Sequence, residues 1–425
     1  MKITQTACKI KLDLVMDVSV DVAKDKLDFF FTAGNKEYQD QCQNRTAIIE
    51  KRLAKYLEIA KEHGWQNLRV ICEPTGQYQN SLLRTSRRLG CLTSIVNTES
   101  VAKFRLIETN DSGKTDIKDP RVIHSLGQLN KVLRHRILGE QYLMLRRLGA
   151  MYEDTDSAII SVRCRLDRLL VELFCDYSFK KDFLYEDSGM ALLEHFGCNP
   201  YKIIEGGLEN FRAIMTKSVP YIRRGTIERL WQDATSSVLN EMPAGYIEVL
   251  EMELYHLYED FLRLDERKEK ITGELVATLE ALREKEPNIP PPTPGVISAK
   301  NLARLLGETG PLGDFCHWRM LMRYAGLNIR MRQSGTFQGL NKISKKGRTL
   351  LRKVLSQIVL PLIKKTGLYG EYYHRKKQEG NMPGTKAMTV VMRHFLRKFY
   401  GWFKSARAFD RERFFTGETM YQQAA

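Results

Sequence analysis

The chain has 425 residues, enough for two or three domains and a sizeable core. Hydrophobic residues make up 43% and charged residues 28%, the balance of a soluble globular protein, and no apolar run approaches the roughly 18 residues that span a bilayer. The net charge of +16 is unevenly placed: residues 301–408 hold 22 lysines and arginines against Glu308, Asp314, Glu371 and Glu379, an electrostatic footprint for a polyanion.

Residues 1–14 alternate lysine with apolar residues and are too polar for a secretory signal. Residues 12–31 read as two strands around the turn Ala23-Lys24-Asp25, with Leu27, Phe29 and Phe31 alternating against Lys26, Asp28 and Phe30. A helix over 44–63, a buried strand over 68–72, a helix over 81–89 and a strand over 93–96 follow, an order that suits an α/β layered domain. A further helix covers 120–130 and carries Asp119 near its start. Residues 138–174 show Leu, Ile and Met at helical spacing, and 176–243 read as an insert of small helices and turns. From Ile247 to Leu282, nine of eleven heptad seam positions are apolar. A dimeric coiled coil and an intramolecular hairpin with 138–174 account for that seam equally well. The proline-rich run Pro287–Gly295 ends the helix and reads as a stiff linker and domain boundary. Beyond it come short helices at 298–306 and 317–324, a polar loop over 328–341, and basic helices with an apolar face at 348–365 and 385–404. The expected organisation is an α/β domain over 1–137, a helical, coiled-coil region over 138–286, and a mainly α-helical basic domain over 287–425. Eight cysteines without a Cys-x-x-Cys pair argue against structural zinc and a disulfide scaffold, and suit a reducing cytoplasm.

Four acidic residues fall at the spacing of a divalent-metal site. Asp21 lies near the end of the apolar run Leu12–Val22, Glu73 ends the run Leu68–Cys72, and Asp116 and Asp119 stand three apart. Carboxylates at strand ends plus an i,i+3 pair on one helix face can converge on one or two hard divalent cations, and two such cations clamp both oxygens of a phosphoryl displacement. Asp17 is the rival of Asp21, with the opposite or a solvated part of the strand as its alternative place. Glu73 could also be a turn residue, and Asp116 a helix N-cap. A second constellation runs from Arg330 through Arg332, Ser334 and Gly335 to Lys342, Lys345, Lys346 and Arg348. A serine oxygen there can attack phosphorus when its proton is removed and the phosphate charge neutralised. On chemistry alone, a serine that only donates a hydrogen bond to phosphate is the simpler reading. The run Ile343–Arg348 reads as a backbone-contact loop entering a helix N-terminus. Tyr369, Tyr372 and Tyr373, beside Arg375-Lys376-Lys377, admit a tyrosine nucleophile but read better as packing plus phosphate contact.

Asp21-Val22-Ala23-Lys24-Asp25-Lys26-Leu27-Asp28, Glu73-Pro74-Thr75-Gly76-Gln77-Tyr78 and Lys114-Thr115-Asp116-Ile117-Lys118-Asp119 together resemble the DEDD motif of insertion-sequence 110 family transposases. Thr293-Pro294-Gly295-Val296, Phe315–Leu327 and Gln333-Ser334-Gly335 through Gly347 resemble the family's second domain. Asn328 stands where that family has a proline, and the insert at 176–243 is longer than its pattern. The resemblance implies a RuvC-like (RNase H-like) N-terminal domain and selects Asp21 over Asp17. It implies Mg²⁺ held by Asp21, Glu73, Asp116 and Asp119, and Ser334 as a nucleophile forming a covalent phosphoserine. Arg330, Arg332, Lys342, Lys345, Lys346 and Arg348 would contact nucleic acid. It also implies donor and target double-stranded DNA, a structured bridge RNA as guide, a homo-oligomer between dimer and tetramer that joins the two half-sites, and a prokaryotic, nucleoid-associated location. A metal-dependent nuclease without a covalent step is the alternative.

Overall fold

The computed structural model describes residues 14–109, 118–180, 182–330, 333–334, 337–339, 342–379 and 381–415. The chain forms two units, Met1–Ile137 and Leu138–Ala425.

In the first unit, alternating valine and phenylalanine build β1 (Val15–Val22) and β2 (Lys26–Ala33), an antiparallel hairpin. The hairpin extends into β3 (Lys36–Gln43), which the sequence reading does not contain. Tyr38 and Cys42 of this edge strand pack on the core, but the polar residues between and around them leave little apolar alternation to read. α1 (Thr46–Glu62) leads to β4 (Asn67–Cys72), which pairs in parallel with β1. α2 (Asn80–Arg88), β5 (Leu92–Ile95), α3 (Thr98–Thr109), α4 (Lys118–Gln128) and β6 (Leu133–Arg134) complete a six-stranded sheet of order β3-β2-β1-β4-β5-β6. The pleat sorts its residues. Val18, Val20, Val70 and Cys72 face a core closed by Ile49, Leu53 and Tyr56 of α1. On the other face Ile71 packs with Val101 of α3 and Val122, Ile123 and Leu126 of α4.

The second unit is helical. α5 (Glu140–Leu173) is followed by the small helices α6 (Asp187–Phe196), α7 (Pro200–Glu205), α8 (Gly207–Ser218) and α9 (Arg224–Ser237), then by α10 (Ala244–Lys285). The heptad seam of α10 finds its partner inside the chain. Leu250, Leu254 and Leu257 share a core with Leu166, Leu169, Leu170 and Leu173 of α5. Ile271, Leu275, Leu279 and Leu282 share another with Tyr142, Leu145 and Tyr152. The two long helices therefore run antiparallel as an intramolecular hairpin.

The proline-rich run turns the chain within that second core, because Ile289 on it and Val296 and Ile297 just after it are buried together with residues from both sides. α11 (Ala299–Thr309) has Ser298 as its N-cap, and α12 (Trp318–Ala325) has His317. Short strands replace the expected loop: β7 (Ile329–Arg330), β8 (Gln333–Ser334), β9 (Phe337–Gln338) and β10 (Lys342–Ile343), paired β7 with β10 and β8 with β9. α13 (Thr349–Leu362), α14 (Gly370–Glu379), α15 (Gly384–Ser405) and α16 (Arg411–Phe415) follow. α13 and α15 bury Leu355, Val359, Phe395 and Phe399 on their apolar faces and leave Lys353, Lys386 and Lys404 exposed. Among the described residues no helix is long and apolar enough to cross a membrane.

Candidate active site

Strand register brings two of the four acids together. β1 and β4 are parallel neighbours with Val20 beside Cys72, so the next residues, Asp21 and Glu73, stand side by side at the strands' C-terminal ends. Both are half-buried. By the alternation of the pleat they belong to the sheet face that α4 covers. Asp21 Oδ1 accepts from the Val22 backbone N–H at 3.0 Å. The chain leaves β4 through a turn in which Gly76 has φ +61° and Gln79 Oε1 accepts from Thr75 N–H at 3.0 Å. Burial, with the Glu73 carboxylate next in effect, pushes the Cys72 thiol up to about 12.

Asp17 lies neither on the opposite face nor in solvent. Four residues make two pleat repeats, so Asp17 shares the face of Asp21. It is buried and receives both Nε and Nη2 of Arg69 at 2.6 Å. Its charge is consumed inside the fold.

Asp119 sits in the first turn of α4, 2% exposed, where the helix N-terminus favours a negative charge. Arg105 of α3 donates from Nη2 to Asp119 Oδ1 at 2.5 Å. Asp116 lies outside the described residues, as does Arg332. Among the described residues no three His, Cys, Asp or Glu side chains cluster tightly enough to hold a metal ion. The proposed donors are nevertheless all carboxylate oxygens, the chemistry that fits a hard divalent cation.

In the second unit, the strand pair Arg330–Lys342 frames Ser334, which pairs by its backbone with Phe337. Arg330, Lys342, Lys345 and Lys346 are exposed. The segment after β10 is stitched to the end of α12. Ser344 N–H donates to Asn328 O at 2.8 Å, and Ser344 Oγ donates to Asn328 Oδ1 at 2.6 Å. Lys345 N–H reaches Gly326 O and Arg348 N–H reaches Tyr324 O, each at 3.0 Å. Arg348 caps α13 with its backbone, while its guanidinium binds the buried Glu308 at 2.7 Å. Arg348 thus already serves a buried carboxylate inside the fold, with its own side chain about a third exposed. Tyr369 is fully buried with its hydroxyl 2.9 Å from His394 Nδ1, and Tyr372 is 8% exposed. Those two tyrosines are core residues, which rules them out as nucleophiles reached by DNA.

A DEDD transposase model of the IS110 family matches residues 18–175, and the model described as Transposase IS116/IS110/IS902 family matches residues 293–374. Together they take in more than half of the chain. The chain belongs to the IS110 family of DEDD transposases. No curated protein matches it.

The transposase is therefore an enzyme that acts on DNA to move an insertion element. DEDD transposases are typically divalent-metal dependent. Two neighbours of the acids escaped the sequence reading of the site. Asp28 stands directly across β2 from Asp21, held by Gln41 Nε2 at 2.6 Å and Lys26 Nζ at 3.3 Å. Two facing carboxylates repel, and the hairpin register Asp21–Asp28 is the signal that would have found the pair. Arg105 belongs to no motif, and only the packing of α3 on α4 reveals it.

Proposed function

We propose that the first unit is a RuvC-like (RNase H-like) catalytic domain. Three antiparallel strands followed by parallel ones, in the order 3-2-1-4-5, support it, as do the acids on the central pair. The observation that carries the reading is the juxtaposition of Asp21 and Glu73 at the ends of β1 and β4. With Asp116 and Asp119 they would hold Mg²⁺, which when bound neutralises charge developing on the scissile phosphate.

Ser334 is our candidate nucleophile. Its Oγ would form a bond to phosphorus, its proton would pass to a base or water, and the departing deoxyribose oxygen would leave as a hydroxyl. The phosphoserine ester would conserve the bond energy for rejoining. The stitched segment Ser344–Arg348 fixes one side of this loop, and exposed Arg330, Lys342, Lys345 and Lys346 supply positive charge for DNA and RNA backbones. Sequence choice would then belong to base pairing with a structured guide RNA, leaving the protein to read backbone and shape. Ser334 and the acids must act on one phosphate, and a homo-oligomer of two to four chains is the assembly we propose for it.

Denaturing electrophoresis of the full chain with a nicked suicide DNA substrate tests the reading. Wild type accumulates a protein–DNA adduct and Ser334→Ala does not. Recombinant products from Ser334→Ala would overturn the covalent step and leave a metal nuclease.

A further inference from the structure

We propose that Arg105 is the internal counter-ion of Asp119 and competes with a divalent cation for that carboxylate. The inference rests on the metal reading of the first unit.

Asp119 is 2% exposed, and a carboxylate so placed requires a cationic or hydrogen-bonding partner. Arg105 supplies one, its own side chain 13% exposed. The pair is built into the packing. Val101, one turn before Arg105 on α3, shares a core with Val122 and Ile123, one turn after Asp119 on α4. That contact fixes where the guanidinium meets the first turn of α4. The start of α3 is itself anchored, since Asn97 Oδ1 accepts from Glu99 N–H at 2.8 Å and Asn97 O from Val101 N–H at 3.0 Å.

A guanidinium and a hard cation make the same demand on Asp119. Each needs carboxylate oxygen lone pairs, and two cations on one carboxylate repel across a poorly solvated gap. Cation binding must therefore loosen the Arg105–Asp119 pair. The released guanidinium stays tethered beside Asp119, with the planar donor set that matches a phosphate. Arg105 thus holds Asp119 in place before the cation arrives and raises the cation concentration needed to fill the site.

Calorimetric titration of the full chain with Ca²⁺, without DNA, tests this, together with melting temperatures at zero and saturating Ca²⁺. Arg105→Gln keeps part of the stem and removes the charge. We expect it to bind Ca²⁺ about fivefold more tightly than wild type, to melt lower without Ca²⁺, and to gain more from saturation. Arg105→Lys keeps the charge and should bind as wild type does or nearly so. Equal or weaker Ca²⁺ affinity in a folded Arg105→Gln protein overturns the competition while leaving the metal reading intact. Wild type and Arg105→Gln both failing to bind Ca²⁺ would overturn the metal reading and this inference with it.

Discussion

Arg69 and Asp17 face each other across the parallel strands β4 and β1 and meet in two hydrogen bonds of 2.6 Å. The same guanidinium donates to Gly127 O at 3.0 Å and Asn130 Oδ1 at 3.3 Å, and Gln128 Nε2 donates to Asp17 Oδ2 at 3.2 Å. The pair bolts the C-terminal end of α4 to the two strands whose far ends carry Asp21 and Glu73. The helix lies so close that a methyl group on Gly127 would come within 2.5 Å of Ile71 Cδ1.

Asp17 and Asp21 should therefore fail in different ways. Asp17→Ala leaves a buried guanidinium uncompensated and should cost about 3–5 kcal/mol of stability. Asp21→Asn sits at a half-buried strand end and should change stability by less than about 1 kcal/mol while abolishing DNA strand transfer. Urea denaturation monitored by circular dichroism, beside a strand-transfer assay, separates the two. An Asp17→Ala protein of native stability would contradict the bolt.

Acid should loosen the first unit through its histidines. Burial lowers the His124 pKa below 6.5, against the opposing pull of Asp17 and Glu37, and His135 is lowered for the same leading reason. The unfolded chain therefore takes up protons near pH 6.5 that the folded chain refuses. Stability is complete above that range and falls as pH drops through 6.5 toward the depressed folded values, by at most about 1.4 kcal/mol per pH unit for each histidine. His124 Nδ1 is buried without a hydrogen-bond partner among the described residues, so His124→Gln should flatten this slope. Urea midpoints between pH 8 and 5.5 check it, and an unchanged slope would remove His124 from the account.

The expected phosphate contacts divide by what already holds them. Lys342 and Lys345 are exposed, and replacing either by alanine should reduce the slope of log Kd against log salt by about 1. Arg348→Ala should instead lower stability by roughly 2–3 kcal/mol, since Glu308 is 3% exposed and loses its partner, discounted because the arginine is about a third exposed. Fluorescence anisotropy with a DNA duplex over a salt series, with melting curves alongside, distinguishes them. A flat salt dependence for wild type would remove the electrostatic reading of residues 301–408.

Sequence patterns revealed some of this and could not reveal the rest. The apolar alternation of β1, β2 and β4 is local, so the strands and the ends where Asp21 and Glu73 stand are readable from one segment at a time. β3 shows little of it, because apart from Tyr38 and Cys42 its residues are polar and the strand is placed largely by its pairing with β2. The seam of α10 says that something apolar covers it. Leu166, Leu169, Leu170 and Leu173 as the cover is a fact about a segment some 80 residues away. Spacing alone puts Asp17 and Asp21 on one face. What separates their roles is Arg69, 52 residues on, which no local pattern announces. Arg105 and Asp119 are a further case, brought together only when α3 packs on α4.

The loop bearing Ser334 offers a last test, through a glycine that carries no side chain of its own. A Cβ on Gly347 would lie 2.4 Å from Gly326 N and 2.5 Å from Tyr324 O, both backbone atoms that cannot swing aside. Gly326 closes α12 at φ +70°, a left-handed position that suits glycine. Gly347→Ala must therefore push residues 344–348 off the end of α12 and strain the contacts of Lys345 and Arg348 with Gly326 and Tyr324. We expect a stability loss of about 1–3 kcal/mol. Adduct formation at Ser334 should fall more than DNA affinity does, because the exposed lysines remain. Adduct yield and anisotropy measured on the same preparation decide the point: a proportional loss of both would mean that the segment only binds DNA and does not position the serine.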